Sequence, residues 1–299
     1  ILRRTRPRGQ PDPMQRTVQA LTQVAQRFEA TPESARVYKP DEAIRLLVSY
    51  AVSSIPAGMH AYDVRLLNSL PALLEPFVPL SPLLAAMWQN TVASRENACE
   101  NKPESSRQRW LKIYEGLESV TAAELPGVSV LRAAMAYGVG ICEAQLGIET
   151  AQTWVDILER DDIQRVTALY LRKVVLLQRG DFDGAERARR QAELLEVQMP
   201  RRQPFVTYHL ELPAHAGAQD IRGVKQVIDR IAPLAASYVG WRPFLDFGRG
   251  TIHRLRGEFE AAHACFERGL VVARPTAAEP DRSGAAWLQL EAANIEVLI

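Results

Sequence analysis

The side chains with the most to offer chemically are His253, His263 and Cys265. Imidazole and thiolate suit zinc, but a tetrahedral site needs two further donors, and none stands at a suitable spacing. His253 and His263 lie on opposite sides of a turn, which reads as a packed His253 and an exposed His263. The stretch "GVGICE" (138–143) begins like a dinucleotide fingerprint but lacks the third glycine and a preceding strand. Glycines inside a helical pattern predict a close helix crossing instead. Cys142 has no strand-to-helix turn to present it as a nucleophile, so it reads as a buried structural thiol. Asp161 and Asp162 in "ERDDIQRV" read as a helix start rather than an acid–base pair. Arg187, Arg189 and Arg190 are interleaved with Glu186 and Glu193, the pattern of a solvated helix face. No catalytic residue, metal ligand or cofactor site is assigned.

The charge balance adds to this. Lys and Arg number 36 against 35 Asp and Glu, a net charge of +1, so no overall field draws in nucleic acid or an anionic membrane. Arg3, Arg4, Arg6 and Arg8 form a basic tail that reads as a linker. The three cysteines, Cys99, Cys142 and Cys265, are far apart and odd in number, which favours a reducing, cytoplasmic setting over a disulfide framework. The most apolar stretch, "LPALLEPFVPLSPLLAAM" (70–87), carries Glu75 and four prolines, so no membrane span is expected. "ILRRTRPRGQPDP" at the start lacks both an initiating Met and a following apolar run, and "WLQLEAANIEVLI" at the end resembles a half-used helix. Both ends suggest a piece of a longer polypeptide.

The frame that must hold these side chains shows in "RGDFDGAERARRQAELL" (179–195) and "RGEFEAAHACFERGL" (256–270). Aligned at Gly180 and Gly257, each places a bulky apolar residue two positions after the glycine and an alanine three later. The same frame fits from Gln219 and from Leu146, giving starts at 146, 180, 219 and 257, spaced by 34, 39 and 38. A period of this length marks stacked repeats. Apolar residues at i, i+3, i+7 and i+10 after each turn make one helical stripe, and a second helical pattern precedes each turn, as in "VTALYLRKVVLLQ" (166–178). The unit is an αα-hairpin. Ala151, Ala185 and Ala262 are expected where its helices cross.

About six hairpins span 40–273, with a leftover helix at each end, one of them over 13–30. No period-two run of β-branched residues suggests a sheet. Pro71, Pro213 and Pro233 fall inside expected helices, where each should kink or end one. The expected fold is all-α: an α/α superhelix, or solenoid, of stacked antiparallel hairpins. Its parts are a basic tail (1–12), degenerate hairpins (13–126), the regular repeats (127–275) and the start of a further unit (276–299).

Gly250, Gly257, Phe259, Ala262, Phe266, Gly269, Leu270 and Pro275 resemble a tetratricopeptide-type repeat. The unit from Gly180 keeps Phe182, Ala185 and Ala192 but has Arg189 where an aromatic is usual, and Asp246 stands where the family has an early Trp. The resemblance implies protein–protein interaction through a concave wall made by the first helix of each pair. Its groove positions fall on Ala136 and Glu143, Tyr170 and Leu177, His209 and Ala216, and Phe247 and Arg254. Of these, Glu143, Tyr170, His209, Phe247 and Arg254 carry side chains that could anchor a protein or peptide partner. The same resemblance implies the non-catalytic arm of a larger bacterial regulator, with a small-molecule-sensing arm of a signalling or transcription regulator as the alternative.

Overall fold

The computed structural model describes residues 40–121, 128–197, 207–274 and 284–299. Among them are thirteen α-helices and no strand. Six hairpins run in order: α1 (Pro40–Ala61) with α2 (Val64–Leu74), α3 (Pro82–Ala98) with α4 (Pro103–Leu117), and α5 (Val128–Gln145) with α6 (Ala151–Glu159). Then come α7 (Arg165–Gln178) with α8 (Phe182–Val197), α9 (Tyr208–Gly217) with α10 (Ile221–Ser237), and α11 (Arg242–Leu255) with α12 (Phe259–Ala273). A single helix, α13 (Ala285–Leu298), closes the series. The expected helix over 13–30 and the basic tail lie outside the described residues. No described helix is long and apolar enough to cross a membrane.

Five hairpin turns use one device. Tyr62, Gly147, Gly180, Gln219 and Gly257 all take a left-handed φ, between 47° and 76°. In each turn that residue's N–H donates to the carbonyl three back, and the next N–H donates to the carbonyl five back. For Gly180 and Asp181 these acceptors are Leu177 (3.0 Å) and Leu176 (2.9 Å). This Schellman pair satisfies the last carbonyls of the first helix. In four turns an acid comes next: Asp63, Asp181, Asp220 or Glu258. The first three cap the following helix by accepting from the N–H of Leu66, Gly184 and Gly223. At three of the four frame starts, Gly180, Gln219 and Gly257, the turn falls on the residue expected. In the remaining unit it starts at Gly147 rather than Leu146, because the N–H of Leu146 still bonds back to Cys142 in helical fashion. Its second helix then waits until Ala151.

Pro71, Pro213 and Pro233 lie inside α2, α9 and α10, which end three or four residues later at Leu74, Gly217 and Ser237. A proline removes one N–H and crowds the carbonyl four back, so the chain closes one more turn before the helix ends.

Packing follows sequence. Each helix of a pair lies against the other, and helices one apart also touch: α1 with α3, α5 with α7, α7 with α9, α9 with α11, and α11 with α13. Ala151, Ala185 and Ala262 are buried at the crossings, as their size requires. At Gly250 an added Cβ would lie 2.3 Å from Phe266 Cε1, so the Phe266 ring of α12 lies directly against the α11 backbone. Gly138 and Gly140 face the Trp110 ring and Leu171 in the same way, which makes "GVG" the expected crossing.

Candidate functional site

Helices α2, α4, α6 and α10 each pack along the first helix of the next hairpin, and α12 along α13, but α8 makes no such pairing with α9. There the two hairpins meet chiefly through α7 and α9, and a cleft of about 240 Å³ opens between them. Its lining comes from α7 (Lys173, Leu177), α8 (Phe182 to Arg190), α9 (Glu211, His215) and α10 (Arg222, Gln226, Arg230).

The floor of the cleft is charged. Lys173 lies at i+3 from Tyr170 and i−4 from Leu177, on the same stripe of α7. Its ammonium is buried, donating to Glu211 Oε1 (2.7 Å) and Thr207 Oγ1 (2.6 Å) and lying 4.8 Å from the Tyr170 ring centroid. The Thr207 hydroxyl also donates to Glu211 Oε1 (2.8 Å), and Arg230 donates to Glu211 Oε2 (3.1 Å). Burial alone would raise the Glu211 pKa. Lys173 and Arg230 outweigh it and hold the carboxyl down at about 2. Burial lowers the Lys173 pKa, and Glu211 opposes that shift. Two charges taken out of water thus persist because each is paired and hydrogen-bonded.

The walls differ. On α8, Glu186 accepts from Arg189 (2.6 and 2.7 Å) and Arg190 (2.8 Å), and Arg189 also bonds Glu193. The hydrogen bonds from Arg189, and with them Arg190, pull the Glu186 pKa down to about 2 against partial burial. On α10, Arg222, Gln226 and Arg230 follow one another at i, i+4 and i+8, a single file along one helix face. At the base Phe182 stacks on His215, with centroids 4.9 Å apart, and His215 Nδ1 pairs with Asp220 Oδ2 (2.9 Å).

The five residues singled out in the sequence are placed apart, most of them inside the chain. Glu143 is buried, accepting from Arg107 (2.7 and 2.8 Å), Thr150 (2.7 Å) and Trp154 Nε1 (2.9 Å). Tyr170 is buried beside the cleft floor, and its hydroxyl donates to Glu196 (3.1 Å). His209 is buried against Tyr62 and Trp241, with centroids 5.8 and 6.5 Å away. Phe247 packs on Phe266 in the core, 6.2 Å between centroids. Arg254 reaches the surface, where it pairs with Glu296 (2.7 Å).

His253 pairs with Glu258, His263 with Asn294 (2.7 Å), and Cys265 Sγ accepts from Arg268 (3.0 Å). Among the described residues no group of three or more His, Cys, Asp or Glu could hold a metal ion. Burial pushes the Cys99 and Cys142 thiols up to about 12, away from thiolate chemistry.

Lys173, Glu211 and Arg230 escaped the sequence reading because charged residues inside a helical pattern are ordinarily assigned to solvent. One signal was available: "VTALYLRKVVLLQ" is apolar round most of its circumference, so a lysine within it has no wet face to occupy. Comparison with protein-family models, with curated proteins and with solved structures finds no match.

Proposed function

We propose that this chain is a tetratricopeptide-like helical-repeat scaffold that docks a peptide or a partner's helix, as the non-catalytic arm of a larger signalling or regulatory protein. Recurrent Schellman turns at Gly147, Gly180, Gln219 and Gly257 support a repeat architecture. So does the contact of each first helix from α5 onward with the next first helix, the pattern of hairpins stacked into a solenoid. The observation that carries the docking role is the splayed junction. Four junctions spend the second helix of a hairpin on sealing the next one, and α12 does the same for α13, whereas α8 does not pack along α9 and a polar slot stands between α8 and α10. A slot between two helices suits a third helix or an extended segment.

A displayed random-peptide library panned on the whole chain tests this. Peptides should be enriched, and Gln226→Trp, which fills the slot without altering charge, should weaken their binding by about tenfold or more, as for a blocked contact centre. Lys112→Trp, on the exposed side of α4, serves as the control. Peptides that bind both variants equally, or no enrichment at all, would remove the slot as a docking site.

A further inference from the structure

We infer that the segment taken by this slot is acidic, a peptide carrying carboxylates about two helical turns apart. The inference rests on the docking role above and adds the chemistry of the partner.

Three of the four acids lining the slot are consumed; Asp183, exposed in the first turn of α8, is the exception. Glu186 accepts from two guanidiniums, Glu211 accepts from Lys173, Thr207 and Arg230, and Asp220 accepts from the Gly223 N–H and pairs with His215. The donors are not consumed. Arg222 is exposed and makes no ion pair or hydrogen bond within the described residues. Arg190 engages only Nε, and the Arg230 guanidinium reaches its two acceptors, Glu211 and the Gln226 carbonyl, through Nη1 and Nε. The spare hydrogen-bonding capacity of the walls is therefore weighted to donors, most of them cationic, carried on α10 by Arg222, Gln226 and Arg230 and on α8 by Arg190.

Spacing narrows the choice. Arg222 and Arg230 lie eight residues apart on one helix face, about 12 Å at 1.5 Å per residue. Two carboxylates at i and i+7 of a docked helix, or four residues apart in an extended chain, match that separation. In the same lining, Leu177 and the stacked Phe182 and His215 supply apolar surface. Guanidinium–carboxylate pairs can be bidentate, which fixes register as well as sign.

The probe is a fluorescein-labelled Glu/Leu helical peptide of about 14 residues, about 21 Å long, titrated into the whole chain and followed by anisotropy. The comparison peptide replaces every Glu by Lys. The Glu/Leu peptide should bind, and the Lys/Leu peptide should not. Arg190→Glu with Arg222→Glu should weaken binding by about tenfold or more while lowering the thermal melt only slightly, since both side chains are exposed and the one pair lost, Arg190 with Glu186, lies at the surface. Raised salt should weaken it further, and millimolar citrate should fail to displace it.

Equal binding of the Lys/Leu peptide, or affinity untouched by the double reversal, would overturn the acidic assignment. Displacement by citrate would overturn it too, by marking a site for small anions. If the Glu/Leu peptide fails while library peptides still lose affinity on Gln226→Trp, acid preference falls and docking stands. If both fail, both fall.

Discussion

Both sides of α9 bury apolar side chains, but only the side toward α7 buries an ion pair as well. Toward α10 and α11, Leu212 and Ala216 enter an aromatic core with Ile228, Trp241, Phe244 and Phe247. The first hairpin joins that core from far away in sequence. Tyr62 sits 4.6 Å from Phe244 and 5.3 Å from Trp241 between ring centroids, and Trp241 Nε1 donates to the His60 carbonyl at 2.8 Å. Toward α7, Leu210 joins the apolar core of α5 and α7, and beside it Lys173 bonds Thr207 and Glu211, which Arg230 of α10 also reaches. An apolar junction gains with every square ångström covered, so second helices close over it. A charged junction is satisfied by a few hydrogen bonds and gains little from further coverage, so the hairpins there can stand apart. The same difference that opens a slot leaves the charged side dependent on two or three side chains.

The largest expected effect breaks that dependence. Glu211→Leu strands a buried ammonium and should cost about 3–5 kcal/mol in urea unfolding, as for a buried pair that loses one partner. Adding Lys173→Met should recover most of it, leaving the double variant within about 1 kcal/mol of wild type, because two apolar side chains of similar volume need no counter-charge. Wild-type stability should also fall in acid. The Glu211 pKa is depressed from the ordinary 4.5 to about 2, so its contribution is complete above pH 4.5 and lost as the pH drops toward 2. If the single and double variants unfold alike, Lys173 is not charged in the folded chain and the contrast between the junctions disappears.

That contrast also explains what could be read in advance. The hairpins were legible because turn and crossing chemistry is local. Gly180 and Gly257 take a φ that only glycine adopts cheaply, and Ala185 and Ala262 are small where helices touch. Helix ends near Pro71, Pro213 and Pro233 were legible for the same reason. The slot was not, because it arises from a pairing that α8 fails to make, and pairing between hairpins leaves no local trace. Nor was the return of the first hairpin to Trp241, which bonds the His60 carbonyl across 181 positions of chain. The groove residues transferred from the repeat family fell on stripes that do face neighbouring helices. In this chain those neighbours are its own: Trp154 for Glu143, Glu196 for Tyr170 and Trp241 for His209.

A second test sharpens the apolar side. His209 is buried with Nδ1 unpartnered among the described residues, and burial lowers its pKa to about 4. Between pH 6.5 and 4 the unfolded chain takes up a proton that the folded chain refuses, so stability is full above pH 6.5 and falls as the pH drops. The loss between pH 7 and pH 5 should be about 2 kcal/mol, from 1.5 units at about 1.4 kcal/mol each. His209→Phe should abolish that part of the slope while preserving the ring packing. Parallel pH–stability curves for wild type and variant would show that His209 is wet, and that the aromatic junction is not dry.

The smallest expected effect separates the two junctions from each other. Tyr62 holds a left-handed φ of 47°, costly for a bulky residue, and its hydroxyl donates to the Ala98 carbonyl at 3.0 Å. Tyr62→Phe keeps the ring among Trp241 and Phe244 and removes only that hydrogen bond to the end of α3. The cost should be about 1 kcal/mol, a typical net value for one buried hydrogen bond. Because Ala98, Trp241 and Phe244 lie outside the slot lining, the affinity of the Glu/Leu peptide should not change. A weakened melt with unaltered binding would mean that the aromatic side supplies cohesion and the charged side supplies recognition. A loss of both would mean that the two sides of α9 act as one body, with the aromatic core setting the width of the slot.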